Sequence, residues 1–401
     1  LMKSIIIKEN AIDPDLKSLL IKKKLTCEHL WREARTKNNC FIIEKDFNDL
    51  LDLVHEEASQ LSHATNLTPY DSLISKYDID YDSVKIDEVF SIIEKEIIPK
   101  YKNIQKIKSP FIYKSDISDA KLIKEIKIKL QQLNFDFDRG RIDQSHHPFC
   151  GGATNDVRIT TRFEENILES LSALFHETGH GVYEQNRPIQ YLYEPLGQSR
   201  SLSVHESQSL FFENHIFKSQ TYFKIINTIF DNSKDLEKSF LEHYHTVRIN
   251  PIRVSADEFS YPIHVFIRYQ IEKEIFKNKI KFKDIKDLWN KKYLDHLEID
   301  LNSDSEGVLQ DIHWYEGIFG YFPTYALGAM IASQIKYNCP LFDIFLKNPD
   351  EENINQLIIW LNNNIHQKAS LYSSDEMLQS ISGEKLNSKY YLEHLVGRFV
   401  K

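Results

Sequence analysis

The run KIDEVFSIIEKEIIPKYKNIQK, residues 85–106, sets the character of the chain. Val89, Ile92, Ile93, Ile97 and Ile98 recur at a spacing that gathers them near one face of a helix. Residues 117–134 and 265–296 read similarly. Glycine and proline, the residues of tight turns, number only 12 each in 401 residues. A β-sandwich or barrel needs many such turns. The pattern therefore predicts long helices, short connections and a mostly α single domain. No internal repeat or low-complexity linker marks a boundary. One stretch reads as a strand: β-branched residues cluster in DVRITTRF, 156–163.

Charge and cysteine usage exclude several functions. The net charge of −9 gives no electrostatic reason to expect nucleic acid or an anionic membrane surface. Cys27, Cys40, Cys150 and Cys339 form no CxxC pair, which argues against a zinc ribbon or disulfide scaffold and for a reducing compartment. The apolar run Ile5 to Ile7 is too short for a signal peptide. Residues 317–335 are uncharged and nearly long enough to span a membrane, but they carry Pro323, Thr324, Ser333, Gln334 and three glycines. They read as a buried segment lining a site. The expected location is the cytoplasm, with no membrane and no nucleic-acid partner.

Chemistry enters at LFHETGHGVYEQNR, 174–187. Thr161 to Glu164 looks like a capping box at a helix start. Ile167, Leu168, Leu171, Leu174 and Phe175 then pack one side of that helix. His176 and His180, four apart, share a face one turn further on, where two imidazoles suit one metal ion. Glu177 lies about 100° round the helix, placed to meet a water rather than the ion. Gly179 and Gly181 each cost about 1 kcal/mol against Ala, a cost accepted where another backbone or a substrate must approach. A catalytic zinc takes three protein ligands. No H-x-x-G-x-x-H follows His180, so the third should be a carboxylate on a later helix. SLSVHESQSLFFENH, 201–215, offers Glu206 and Glu213, with His205 as a rival. Periodicity does not choose among them.

The chain resembles the thermostable metallocarboxypeptidases of the carboxypeptidase Taq type. HPF at 147–149, DVRIT at 156–160, HETGH at 176–180, HESQ at 205–208, IRVSAD at 252–257 and GVLQDIHW at 307–314 match that family's motifs, in order. The resemblance runs from about residue 10 to the end. It implies that His176, His180 and Glu206 bind zinc, or cobalt in some members, and that Glu177 is the general base and acid. It implies an all-α fold with a deep central groove, related in shape to neurolysin and angiotensin-converting enzyme. It further implies a homodimer that removes C-terminal residues from peptides with broad specificity, generally sparing proline. Members usually carry a further helical segment before the equivalent of residue 10, and this chain starts close to that point. On that reading part of the groove wall is lacking. An endo- or dipeptidyl peptidase, or an inactive peptide-binding zinc protein, are then the alternatives.

The remaining roles follow from what such a reaction needs. A tetrahedral oxyanion requires donors besides the metal. By analogy with related peptidases, His313 and one tyrosine of DIHWYEGIFGYFPTYALG, Tyr321 before Tyr325, are expected to supply them. An exopeptidase must hold a terminal carboxylate, which arginine does through a bidentate fork. Arg158 and Arg253 are the candidates because they sit inside two of the motifs; Arg248, Arg268 and Arg200 rank below. Asp156 and Asp257 are expected to orient those arginines or a ligating imidazole, and Gln310 and Asp311 to do similar work.

Overall fold

The computed structural model describes residues 1–400 apart from 146, 147, 164 and 165. The chain is predominantly helical, as the periodicity predicts, with two small sheets. It divides into two compact units, one of Leu1–Lys108 with Val247–Ala326, the other of Ser109–Thr246 with Leu327–Lys401. Each unit is built from two separate stretches, so no single cut in the sequence separates them.

The first unit is built on the helices Pro14–Thr36, Glu44–Thr65, Tyr261–Asn278 and Phe282–Leu297. Proline begins Pro14–Thr36, where its missing N–H costs nothing, and the Asp13 carboxylate accepts the Asp15 N–H at 2.7 Å. Phe47, Leu50 and Val54 of one helix, with Phe282, Ile285 and Trp289 of another, form the apolar centre. The run 85–106 is not one helix. It passes from Ser83–Ile92 through a π-helical segment, Ile93–Ile97, into Ile98–Asn103. Pro99 is the physical reason: its ring crowds the preceding turn and it lacks an N–H, so the ladder adjusts just ahead of it. The run 265–296 likewise falls in two helices, broken at Lys279, whose φ is +51°.

In the second unit, the expected strand appears as Asp156–Thr161. It pairs in parallel with Gly140–Gln144 and antiparallel with Cys150–Ala153. The histidine helix, Ile167–Gln185, packs on this sheet and brings Gly181 against Phe135 and Ile159. The capping box does not start it. Thr161 is paired in the sheet, Glu164 lies outside the described residues, and the helix begins after Asn166 with no side-chain cap. The next helix, Leu202–Leu210, gives way to a π-helical segment, Phe211–Phe217. The uncharged stretch 317–335 enters the helix Pro323–Asn338 and is largely buried, as expected. Among the described residues, no helix is long and apolar enough to cross a membrane.

Candidate metal centre

The second unit brings His176, His180 and Glu206 together, with one donor atom from each lying within 4.8 Å of the others. His176 Nε2 stands 3.7 Å, and His180 Nε2 3.4 Å, from Glu206 Oε2. The approach depends on two glycines. A Cβ at Gly179 would meet the Gln208 carbonyl oxygen at 2.4 Å, so the two helices touch backbone to backbone there. A Cβ at Gly328 would meet Glu206 Cγ at 2.8 Å, so this position keeps room for the carboxylate side chain. The predicted close approach at Gly179 is therefore another backbone. At Gly181 it is the Phe135 ring, 2.7 Å from a built Cβ.

The rivals for the third position face the outer side of the imidazoles. Glu213 Oε2 lies 2.8 Å from His176 Nδ1. His205 Nδ1 lies 2.6 Å from His180 Nδ1, and its Nε2 lies 2.8 Å from Glu184 Oε1. Glu206 and Glu213 part company because the helix changes to a π register between them, which rotates the later residue. The Glu213 carboxylate at His176 Nδ1 holds a proton there and leaves that Nε2 lone pair for a metal, while His180 meets His205 through Nδ1 and turns its Nε2 to Glu206. Two imidazoles and a carboxylate form a donor set that suits catalytic zinc. On these grounds the residues fit a divalent ion.

Burial and charge act on these groups in opposite directions. At His176 burial alone would lower the pKa, but Glu206 and Glu213 outweigh it and push it to about 10. At His180 burial dominates, helped by His205, and holds it near 4. Glu177 is 8% exposed, and burial raises its carboxyl to about 7. Among the described residues its carboxylate accepts no hydrogen bond.

Arg158 and Asp156, two apart in their strand, form a bidentate pair (Nη2–Oδ2 2.7 Å, Nε–Oδ1 3.1 Å) and both side chains are about half exposed. The first unit holds the other expected residues. Arg253 is 5% exposed; its Nε and Nη2 donate to Asp311 Oδ1 at 3.0 and 2.9 Å, and its Nη1 to the Tyr261 hydroxyl at 2.8 Å. Its guanidinium lies 4.9 Å from the Tyr325 ring centre. The other oxygen of Asp311 accepts Arg268 Nε at 2.7 Å. Burial would raise the Asp311 carboxyl, but the two guanidiniums hold it well below the usual range. Gln310 Oε1 accepts both the Arg253 backbone N–H and Arg268 Nη2. His313 Nε2 is 3.1 Å from the Tyr325 hydroxyl, Tyr321 packs beside both rings, and burial lowers His313 to about 4.

Among the described residues, Asp257 makes no hydrogen bond to the Arg158 or Arg253 side chain or to a ligating imidazole. Its two oxygens take the backbone N–H groups of Arg248, Phe259 and Ser260 and the Ser260 hydroxyl, which caps the turn leading into Tyr261–Asn278. Three further residues lie at the site without being expected from the sequence: Glu184, Arg187 and Lys218. Glu184 was findable, since it stands four after His180 on the same helix face. Arg187, which pairs with Glu184 at 2.7 Å, and the buried Lys218 have no local signal, while Arg268, ranked below Arg253 because it lies outside the motifs, is buried and shares Asp311 with it.

A sequence model of the family described as "Carboxypeptidase Taq (M32) metallopeptidase" matches residues 1–399. The chain is 34% identical to Carboxypeptidase 1 of Bacillus subtilis (strain 168) over 389 residues, which is 93% of this chain and 76% of that protein. It is 29% identical to Thermostable carboxypeptidase 1 of Pyrococcus furiosus over 385 residues, 92% of this chain and 76% of that one. Trypanosoma cruzi metallocarboxypeptidase 1 superimposes with a TM-score of 0.90 at 30% identity, over 100% of this chain and 83% of that chain. The chain thus spans about three quarters of the length of the two curated relatives. It belongs to the carboxypeptidase Taq (M32) metallopeptidase family and is a peptide hydrolase.

Proposed function

We propose that the protein is a zinc-dependent carboxypeptidase that removes C-terminal residues from peptides with broad side-chain specificity. The observation that carries this reading is the convergence of His176, His180 and Glu206 donor atoms within 4.8 Å, with Glu177 buried on the same helix. These three residues would hold the ion, with cobalt as an alternative to zinc. A bound ion of this class polarises a scissile carbonyl and lowers the pKa of water.

The chain's own groups do the rest. Glu177 takes the proton of the attacking water and delivers it to the leaving amine. His313, with Tyr321 or Tyr325, donates to the oxyanion. Arg253 receives the substrate's terminal carboxylate. Of the five N–H donors of a guanidinium, three are engaged with Asp311 and Tyr261, so Nη1 and Nη2 each keep one for a second fork. Arg158 is the other candidate, with Asp156 already holding one edge of it. Asp311 and Gln310 hold Arg253 in place. We further propose a homodimer acting in the cytoplasm as the working form, the dimer from the motif resemblance and the location from the cysteines that form no CxxC pair.

The reading is tested with a blocked dipeptide carrying a free C-terminus and its C-terminal amide, alongside metal analysis. The acid is expected to be cleaved and the amide spared. Equal cleavage of both removes the exopeptidase assignment, and a fully active protein free of divalent metal removes the mechanism.

A further inference from the structure

Behind the hydrogen bond between Glu213 and His176 stands a lysine. Lys218 is 8% exposed, and its Nζ donates to Glu213 Oε1 at 2.7 Å and to Asn214 Oδ1 at 2.8 Å. Ser172 Oγ, from the histidine helix, donates to the same Glu213 oxygen at 2.7 Å. Oε1 is therefore held from two sides, and Oε2 is left for His176 Nδ1 at 2.8 Å.

The backbone makes this contact in an unusual way. Glu213 and Lys218 are five residues apart. On an α-helix, at about 100° per residue, such positions diverge by about 140°. Here the Lys218 N–H bonds the Glu213 carbonyl at 3.0 Å, the i→i+5 step of the π-helical segment Phe211–Phe217. That register returns Lys218 to the side of Glu213. Such insertions are rare and frequently lie at functional sites.

The other ligand histidine has a matching arrangement. His180 is backed by His205, then Glu184, then Arg187. Each imidazole thus ends in a carboxylate fixed by its own cation. We infer that Lys218 is a positioning residue for the metal centre: it locks Glu213 so that the carboxylate holds the His176 imidazole with Nε2 turned towards Glu206. The inference rests on the proposed metal-binding role of His176, His180 and Glu206.

The test uses the full chain, stripped of metal and titrated with zinc against a competing chromophoric chelator. Lys218→Met keeps the apolar stem and removes the charge. It is expected to weaken zinc binding about tenfold or more, the usual scale for groups that support a metal ligand. Lys218→Arg should restore most of the loss. Glu213→Gln should weaken binding too, and adding Lys218→Met to it should cause little further loss, because the lysine acts through that carboxylate. Unchanged zinc affinity in Lys218→Met, with only a lower melting point of the metal-free protein, makes the pair merely structural and overturns the inference. So does a double variant whose loss is the product of the two single losses. If Lys218→Met does not fold, Ser172→Ala, which frees the same oxygen from one side, is read by the same titration; parental affinity there counts against the inference. A parent chain whose zinc binding is unaffected by His176→Ala overturns the proposed function instead, and this inference with it.

Discussion

Gly179 lies directly against the backbone of Gln208: a Cβ built on the glycine would meet the Gln208 carbonyl oxygen at 2.4 Å and the Ser209 Cα at 2.7 Å. Neither neighbour is the end of a flexible side chain, so an added methyl must push two helices apart. Those helices carry His176 and His180 on one side and Glu206 on the other. Gly179→Ala is therefore expected to cost about 1–3 kcal/mol in urea unfolding of the metal-free protein. It should also weaken zinc binding. A variant with parental affinity and stability would show that the contact sets nothing at the site.

Glu206 and Glu213 are expected to differ in kind. Glu206→Ala should lose the metal, whereas Glu213→Ala should keep its stoichiometry and lose about 10- to 100-fold in affinity. Metal content by atomic absorption after exhaustive dialysis decides this. Normal zinc in Glu206→Ala, with none in Glu213→Ala, would reverse the assignment.

Glu177→Gln keeps the shape of the side chain and removes the base. Turnover should fall to background while zinc content stays at the parental level. Surviving turnover would mean that another group handles the proton.

Arg253 and Asp311 separate binding from stability. Arg253→Ala should raise KM and weaken the preference for a free C-terminus over an amide. An unchanged preference points to Arg158. Asp311→Asn leaves the Arg253 and Arg268 guanidiniums without their shared countercharge, and is expected to cost about 3–5 kcal/mol in chemical denaturation.

Glu272 gives a pH signature. It is fully buried and accepts Trp314 Nε1 at 2.7 Å, the Gly320 N–H at 2.9 Å and the Tyr70 hydroxyl at 2.8 Å. Burial raises its carboxyl to about 7, against the opposing pull of those donors. The folded pKa lies above the unfolded one. The protonated acid's stabilisation is thus complete below the unfolded value near 4.5 and is lost as pH rises through about 7. The stability difference between parent and Glu272→Gln should shift by at most about 3 kcal/mol across that window, in favour of the variant at higher pH. A difference that does not change with pH would place the Glu272 titration elsewhere.

Local spacing carried much of this molecule. The helical class, the strand at 156–161 and the shared face of His176 and His180 need only the geometry of a few adjacent residues. Local spacing misled where a proline or a change of register intervened. The run 85–106 is interrupted ahead of Pro99, and the expected capping box places its threonine in a sheet. Asp257 is expected to orient Arg158, Arg253 or a ligating imidazole, and its oxygens take the backbone N–H groups of Arg248, Phe259 and Ser260, which no spacing in the sequence announces.

The chain's order of residues, by itself, determined that two imidazoles one helical turn apart face the same way, because backbone hydrogen bonding leaves them no alternative. Only the tertiary structure decided which acid joins them. Glu206 and Glu213 share a face on an ideal helix. They are separated by a π-helical step and by the backbone contact at Gly179, which sends one carboxylate to the Nε2 side and the other to Nδ1. That choice depends on how two helices pack, and no spacing within either one contains it.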